Sequence, residues 1–202
     1  MKILIVYDSQ LGSVKAMARL IARGVGSAGE QCEAVVRCVR TIGNQATSID
    51  HDDVAQADTD LVATLDDLRN CDALILGSPT RFGNMSASMK HFIDGTSSLW
   101  MSGELSGKPA AVFTSSSSMH GGQESTLLSM LNPLLHHGMI VCGIPYSEPA
   151  LSKTISGGTP YGASHVAGSN NTRPISSDER ALCVALGKRV ANLALKLAAD
   201  HE

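Results

Sequence analysis

No stretch of this chain approaches the roughly 20 consecutive apolar residues that a membrane span needs. The apolar run at the N-terminus, Ile3 to Tyr7, is too short for the core of a secretion signal, and no small-residue cleavage site follows it. The expectation is therefore a cytoplasmic protein without a membrane partner. Charge of one sign is also scarce. The formal net charge is −3 over 202 residues, with Lys and Arg scattered along the chain. Without a basic stripe there is no electrostatic footprint for nucleic acid. The 5 cysteines form no C-x-x-C pair, and no Cys/His cluster has zinc-ligand spacing. They lie in or beside apolar segments, which reads as reduced, mostly buried thiols. Internal repeats are absent. Hydrophobic residues make up 43% and charged residues 17%, a composition that argues against disorder. The length suits one domain, residues 1–202, with a substantial core.

What is present is an alternation of short apolar runs and helical periodicities. Ile3 to Tyr7 is β-branched-rich and reads as a buried strand. Val14, Met17, Ala18, Ile21, Ala22 and Val25 then recur at helical spacing, with Ser13 as the expected N-cap and Gly26 or Gly29 as the stop. Further strands are expected at Cys32 to Val39, Ala73 to Gly77, Pro109 to Phe113 and Met139 to Ile144. Residues 41–62 are polar and predict a surface loop. Leu65 to Asn70 predicts a short helical turn. Met85, Met89, Phe92 and Ile93 share a helical face, and Gln123 to His137 reads as a helix bent at Pro133. Asp178 to Ala199 has strong helical periodicity. Such alternation defines an α/β protein with a doubly wound, five-stranded parallel sheet, strand order 2-1-3-4-5, which is flavodoxin-like. The segment 145–176, rich in Gly, Ser and Pro, is too long for an ordinary connection. With Tyr146, Tyr161 and His165 it is a candidate subunit interface.

In an open parallel sheet, ligands bind beyond the carboxyl ends of the strands. Three loops there carry suitable chemistry. After strand one, Ser9, Gln10, Leu11, Gly12, Ser13 and Val14 lead directly into a helix, whose first N–H groups make an anion site. This loop has neither the G-x-x-x-x-G-K-[ST] nor the G-x-G-x-x-G pattern, so a monophosphate suits it better than a triphosphate or a Rossmann dinucleotide. A plain βα turn with a capped helix is the alternative. After strand three, Pro79, Thr80, Arg81, Phe82, Gly83 and Asn84 form a loop with exposed amides, a rim suited to a planar heterocycle. Phe82 as a core plug is the alternative. After strand four, Ser115, Ser116, Ser117, Ser118, Met119, His120 and Gly121 form a hydroxyl-rich run that lets a flat ring approach the backbone. The alternative is a flexible polar loop.

Along nearly its whole length the chain resembles the WrbA-type NAD(P)H:quinone oxidoreductases. The resemblance is carried by the segments Gly77–Met85, Ser98–Trp100, His120–Glu124, Leu135–Met139 and Gly157–Ala163. It implies a flavodoxin-like protein that binds FMN, takes electrons from NADH or NADPH and reduces quinones by two electrons, usually as a homotetramer. One shared pocket implies ping-pong hydride transfer through the flavin. By position, Ser9 to Val14 would hold the phosphate, and Thr80, Arg81 and Phe82 the ribityl chain and ring. Ser115 to Gly121 would line the isoalloxazine edge. His136 would approach from a neighbouring part of the site or from another subunit, and Trp100 would border the substrate pocket. Two positions depart from the family pattern: Leu11 replaces a Tyr that often touches the nicotinamide, and Ser13 replaces a His while keeping a hydroxyl donor. The loop at Met119 and His120 is one residue longer than the Gly-rich family version. No side chain is assigned as catalytic, and no metal site is indicated. An electron-carrier flavodoxin, a regulatory flavoprotein without quinone turnover and a reductase of azo or nitro compounds are the alternatives that share this fold.

Overall fold

The computed structural model describes residues 1–42 and 60–199. The acidic run around Asp50 to Asp53 lies outside the described residues. Strand β1 (Lys2–Tyr7) is buried at every position after Lys2. Its side chains alternate between two cores, as the period of two in a strand requires. Ile3, Ile5 and Tyr7 enter one core, with Met17 and Ile21 of helix α1 (Ser13–Gly26) and Leu186 and Val190 of helix α7 (Ser177–Ala199). Leu4 and Val6 enter the other, with Met89 of α3 (Ala87–Asp94) and Met130 of α5 (Gln123–His136). A sheet covered on both faces explains why β1 is a continuous apolar run rather than an alternating one.

The sheet runs β2-β1-β3-β4-β5 with every pairing parallel. Its remaining strands are β2 (Glu33–Cys38), β3 (Ala73–Pro79), β4 (Pro109–Ser116) and β5 (Ile140–Val141). This is the expected flavodoxin-like order. Short helices α2 (Leu65–Arg69) and α4 (Ser97–Met101) complete the β2–β3 and β3–β4 connections. A G-x-G-x-x-G spacing does occur in the chain, at Gly24 to Gly29, but it falls at the C-terminal end of α1 and opens no helix.

The structure corrects two expectations in the second half. The fifth strand is not continuous from Met139 to Ile144; only Ile140 and Val141 pair, with Pro109 and Ala110. Further along the same edge of β4, a strand β6 (Ala163–Val166) pairs with Phe113 to Ser116. The edge is thus filled by two short strands separated by an excursion that includes α6 (Pro149–Lys153). Segment 145–176 is therefore not an unstructured loop: all four residues of β6 are buried, and His165 lies in the core, where it cannot meet another subunit, whereas Tyr146 and Tyr161 are exposed.

Polar side chains enter that core because they are paired. Glu179 on α7 and His165 on β6 are fully buried, with His165 Nδ1 and Glu179 Oε2 2.9 Å apart. Glu179 also accepts the backbone N–H groups of Gly157 (2.8 Å), Val166 (3.1 Å) and Ser176 (2.8 Å). Burial disfavours its charge, but these donors overcome it and hold the carboxyl at about 2. One carboxylate thereby ties together the excursion, β6 and the start of α7.

Candidate functional site

The carboxyl ends of β1, β3, β4 and β6 meet at a cleft of about 130 Å³. The β1–α1 loop contributes Ser9, Gln10, Leu11, Ser13 and Val14. Gly12 sits at the N-cap of α1 with φ +90, and no side chain caps the helix from that position. A helix start lacks intrahelical partners for its first N–H groups. Among the described residues those of Ser13 and Val14 have no acceptor, because a glycine with a positive φ turns the chain sharply and contributes no side chain. The expected N-cap, Ser13, is instead the first residue of the helix, and its hydroxyl donates to Asn171 Oδ1 at 2.7 Å. Capping falls to Ser9, whose Oγ accepts the Lys15 N–H at 3.2 Å. Val14 is a core residue, so only its backbone can serve a ligand.

The second side of the cleft is the β3–α3 loop. Pro79, Thr80 and Arg81 line it. The Arg81 guanidinium donates to Gln10 Oε1, linking the first and second loops, and to the Thr80 carbonyl at 3.0 Å. An antiparallel bridge between Arg81 and Asn84 closes the loop tip. There Phe82 adopts φ +52, a left-handed conformation unusual for a bulky residue, and its ring is fully exposed. Phe82 is no core plug.

The third side corrects an expectation. Ser115 and Ser116 belong to β4 rather than to the loop after it, because pairing with β3 and β6 continues to the end of the hydroxyl run. They line the cleft together with Ser117. Ser118, Met119 and His120 are exposed and do not line it; neither do Gly12, Phe82, Gly83, Asn84 and Gly121 of the same loops. The second and third loops touch glycine to glycine: a Cβ on Gly122 would come within 2.8 Å of Gly83 Cα.

The fourth side, Ala167, Gly168, Ser169 and Asn171, was not among the sequence candidates. It follows β6, and a strand not read from the sequence conceals the loop beyond it. Pairing of Ser13 and Leu11 with a residue some 160 positions away leaves no local signal.

Trp100 and His136 lie elsewhere. They share a second cleft, of about 350 Å³, with Thr96, Pro133 and His137, and none of the residues of the first cleft lines it. Of the adjacent histidines, His137 is committed to its neighbours. Thr96 Oγ1 donates to the Ile93 carbonyl at 2.6 Å, so its contact with His137 Nε2, at 2.8 Å, requires Nε2 to carry the proton. Burial, and then the neighbouring His136, lower the His137 pKa and keep the ring neutral. His136 is exposed and available to a ligand.

The first cleft has the chemistry to receive a phosphomonoester. The open N–H groups of Ser13 and Val14, the hydroxyls of Ser9 and Ser117 and the Arg81 guanidinium can donate into it, whereas Ser116 spends its proton on the Ser118 carbonyl and Thr80 on Thr114; among the described residues no carboxylate lines it. That donor set fits an anion bearing a polyhydroxyl chain.

Sheet order and element arrangement together define a flavodoxin-like protein. Residues 1–148 match the family of NADPH-dependent FMN reductases, and the chain belongs to that family. It is 42% identical to an NAD(P)H dehydrogenase (quinone) of Gluconacetobacter diazotrophicus, over 98% of this chain and 99% of the relative. It is equally similar, at 42%, to one of Chromohalobacter salexigens, over 98% of each chain. Among solved structures, a WrbA-like flavodoxin from Agrobacterium tumefaciens superposes with a TM-score of 0.66 at 25% identity, covering 96% of this chain and 98% of the other. Among the described residues no helix is long and apolar enough to cross a membrane.

Proposed function

We propose that this chain is an FMN-dependent NAD(P)H:quinone oxidoreductase of the WrbA type. The observation that carries this reading is the start of α1, with the N–H groups of Ser13 and Val14 open, ringed by hydroxyls and lined by no carboxylate among the described residues, at the carboxyl edge of the sheet. The naming of two full-length relatives as quinone-reducing NAD(P)H dehydrogenases supports the choice of reaction.

FMN, when bound, supplies the capacity to accept two electrons and a proton from a nicotinamide and to pass them to a quinone. The protein binds and orients. The N–H groups at the start of α1 and the Ser9 hydroxyl would hold the phosphate; Ser9 already accepts from Lys15 and retains its own proton for an oxygen ligand. Thr80 and Arg81 would hold the ribityl chain, and the exposed Phe82 would flank the ring. The loop from Ser117 to Gly121 would present donors where negative charge gathers on reduction. His136 would approach the flavin, and Trp100 would border the substrate pocket. Because they lie on a cleft separate from the first, the reading assigns them to a neighbouring subunit's site within a homotetramer. Cytoplasmic location is part of the same proposal, as are a single domain over residues 1–202 and the absence of nucleic-acid and membrane partners.

The test is a visible spectrum of the purified protein titrated with FMN, then NADH or NADPH, then benzoquinone. Flavin bands that bleach with the nicotinamide and return with quinone are expected. Tight FMN binding without bleaching would instead identify an electron carrier and point to Leu11, exposed at the cleft mouth, as the missing nicotinamide contact. Parallel double-reciprocal plots are expected for the two substrates; intersecting lines would defeat the shared-pocket, ping-pong scheme.

A further inference from the structure

The family resemblance assigns no role to residues 167–173, although they supply the fourth side of the cleft. The segment is rigidly built. Asn171 N–H donates to the Gly168 carbonyl at 3.0 Å, and Arg173 N–H to the Ala167 carbonyl at 2.9 Å. Asn171 holds φ +54, a conformation that asparagine tolerates better than most residues. The turn is gripped at both ends by Glu179, which accepts from Val166 N–H before it and Ser176 N–H after it.

From this platform the Asn171 side chain crosses to the β1–α1 loop. Its Nδ2 donates to the Leu11 carbonyl at 2.8 Å, and its Oδ1 accepts the Ser13 hydroxyl at 2.7 Å. The Leu11 bond fixes which end of the amide is which, since a carbonyl can only accept. The Ser13 proton is therefore committed within the protein. Gly12 lies between the two anchored residues, and it is the residue whose left-handed backbone opens the helix start.

We propose that Asn171 is a positioning residue for phosphate recognition. It clamps Leu11 and Ser13 so that the N–H groups of Ser13 and Val14 stay open to the cleft, and the Ser13 hydroxyl acts as its partner rather than as a direct donor to the phosphate. The proposal rests on the FMN reading above.

Asn171→Gly keeps the left-handed backbone and removes the clamp. Flavin-stripped protein is titrated by fluorescence quenching with FMN and with riboflavin, which lacks the phosphate. Asn171→Gly is expected to weaken FMN binding about ten-fold and to leave riboflavin affinity unchanged. Ser13→Ala, which removes only one of the two bonds of the clamp, is expected to cause a smaller loss, and the double variant no more loss than Asn171→Gly alone, because the Ser13 bond is already gone in that variant. Asn171→Asp keeps the acceptor for Ser13 but loses the donor to Leu11 and adds a charge near the anion. It is expected to weaken FMN more than Asn171→Gly does, again sparing riboflavin. Unchanged FMN affinity in both Asn171 variants, an equal loss for both flavins, or additive losses in the double variant would overturn the proposal while leaving the FMN reading intact. Wild-type protein that quenches neither flavin would overturn the FMN reading itself.

Discussion

Glu179 bears the heaviest electrostatic demand of any single side chain described here. Its ionised form satisfies three backbone N–H groups and His165 in a dry core. Removing one partner of such a group costs about 3–5 kcal/mol, because the others are left buried and unpaired. Glu179→Ala is expected to lose that much in urea unfolding. The pH dependence has a definite sign. The folded carboxyl sits at about 2 against an ordinary 4.5, so its contribution is fully present above the unfolded value and disappears as pH falls toward the folded one. The gap in melting temperature between wild type and Glu179→Gln should be constant from neutral pH down to about 5 and shrink below 4.5. A gap that persisted to pH 2 would remove the charge from the explanation. At this scale the sequence was a partial guide. Ser9 and Ser13 were legible as hydroxyls at a helix start, but which one caps and which one reaches across the cleft depends on Asn171, far along the chain.

Among the elements, α1 and α7 approach backbone to backbone at two glycines. A Cβ on Gly24 would lie 2.1 Å from the Val184 carbonyl oxygen, and one on Gly187 would lie 2.1 Å from that of Ile21. Backbone cannot yield as a flexible side chain can. Gly187→Ala must push the helices apart and is expected to cost about 1–3 kcal/mol, seen as a lower denaturation midpoint with the fold retained. A variant as stable as wild type would show that the helices have room to part. Elements with plain periodicity, β1, α1, β3 and α7, were legible because burial on a face imposes a period on the sequence. The end of β4 and the whole of β6 were not. Thr114 to Ser116 and Ser164 to His165 are polar, and they become strand only because neighbours and Glu179 satisfy them.

On the molecule as a whole, large apolar side chains gather on the outer surfaces of α4 and α5. Met101 is 80%, Leu135 55% and Trp100 53% exposed. The homotetramer proposed above would cover these side chains. Leu135→Glu is expected to reduce the species seen by light scattering to dimers or monomers. FMN affinity should be retained, because Leu135 lines neither cleft. Quinone turnover should fall, because Trp100 and His136 would no longer reach a neighbour's flavin. Dissociation without loss of turnover would return the substrate pocket to a single subunit.

The sequence by itself determined the α/β class, the strand order and the three loops at the carboxyl edge. Those follow from local periodicity and from the rule that parallel sheets expose their loops at one end. Only the tertiary structure decided that the fifth edge position is shared by β5 and β6, that His165 belongs to the core, and that a fourth loop completes the cleft. Each of these depends on hydrogen bonds between residues far apart in the chain, such as Glu179 with Gly157 and Asn171 with Ser13, and no local pattern encodes such a bond.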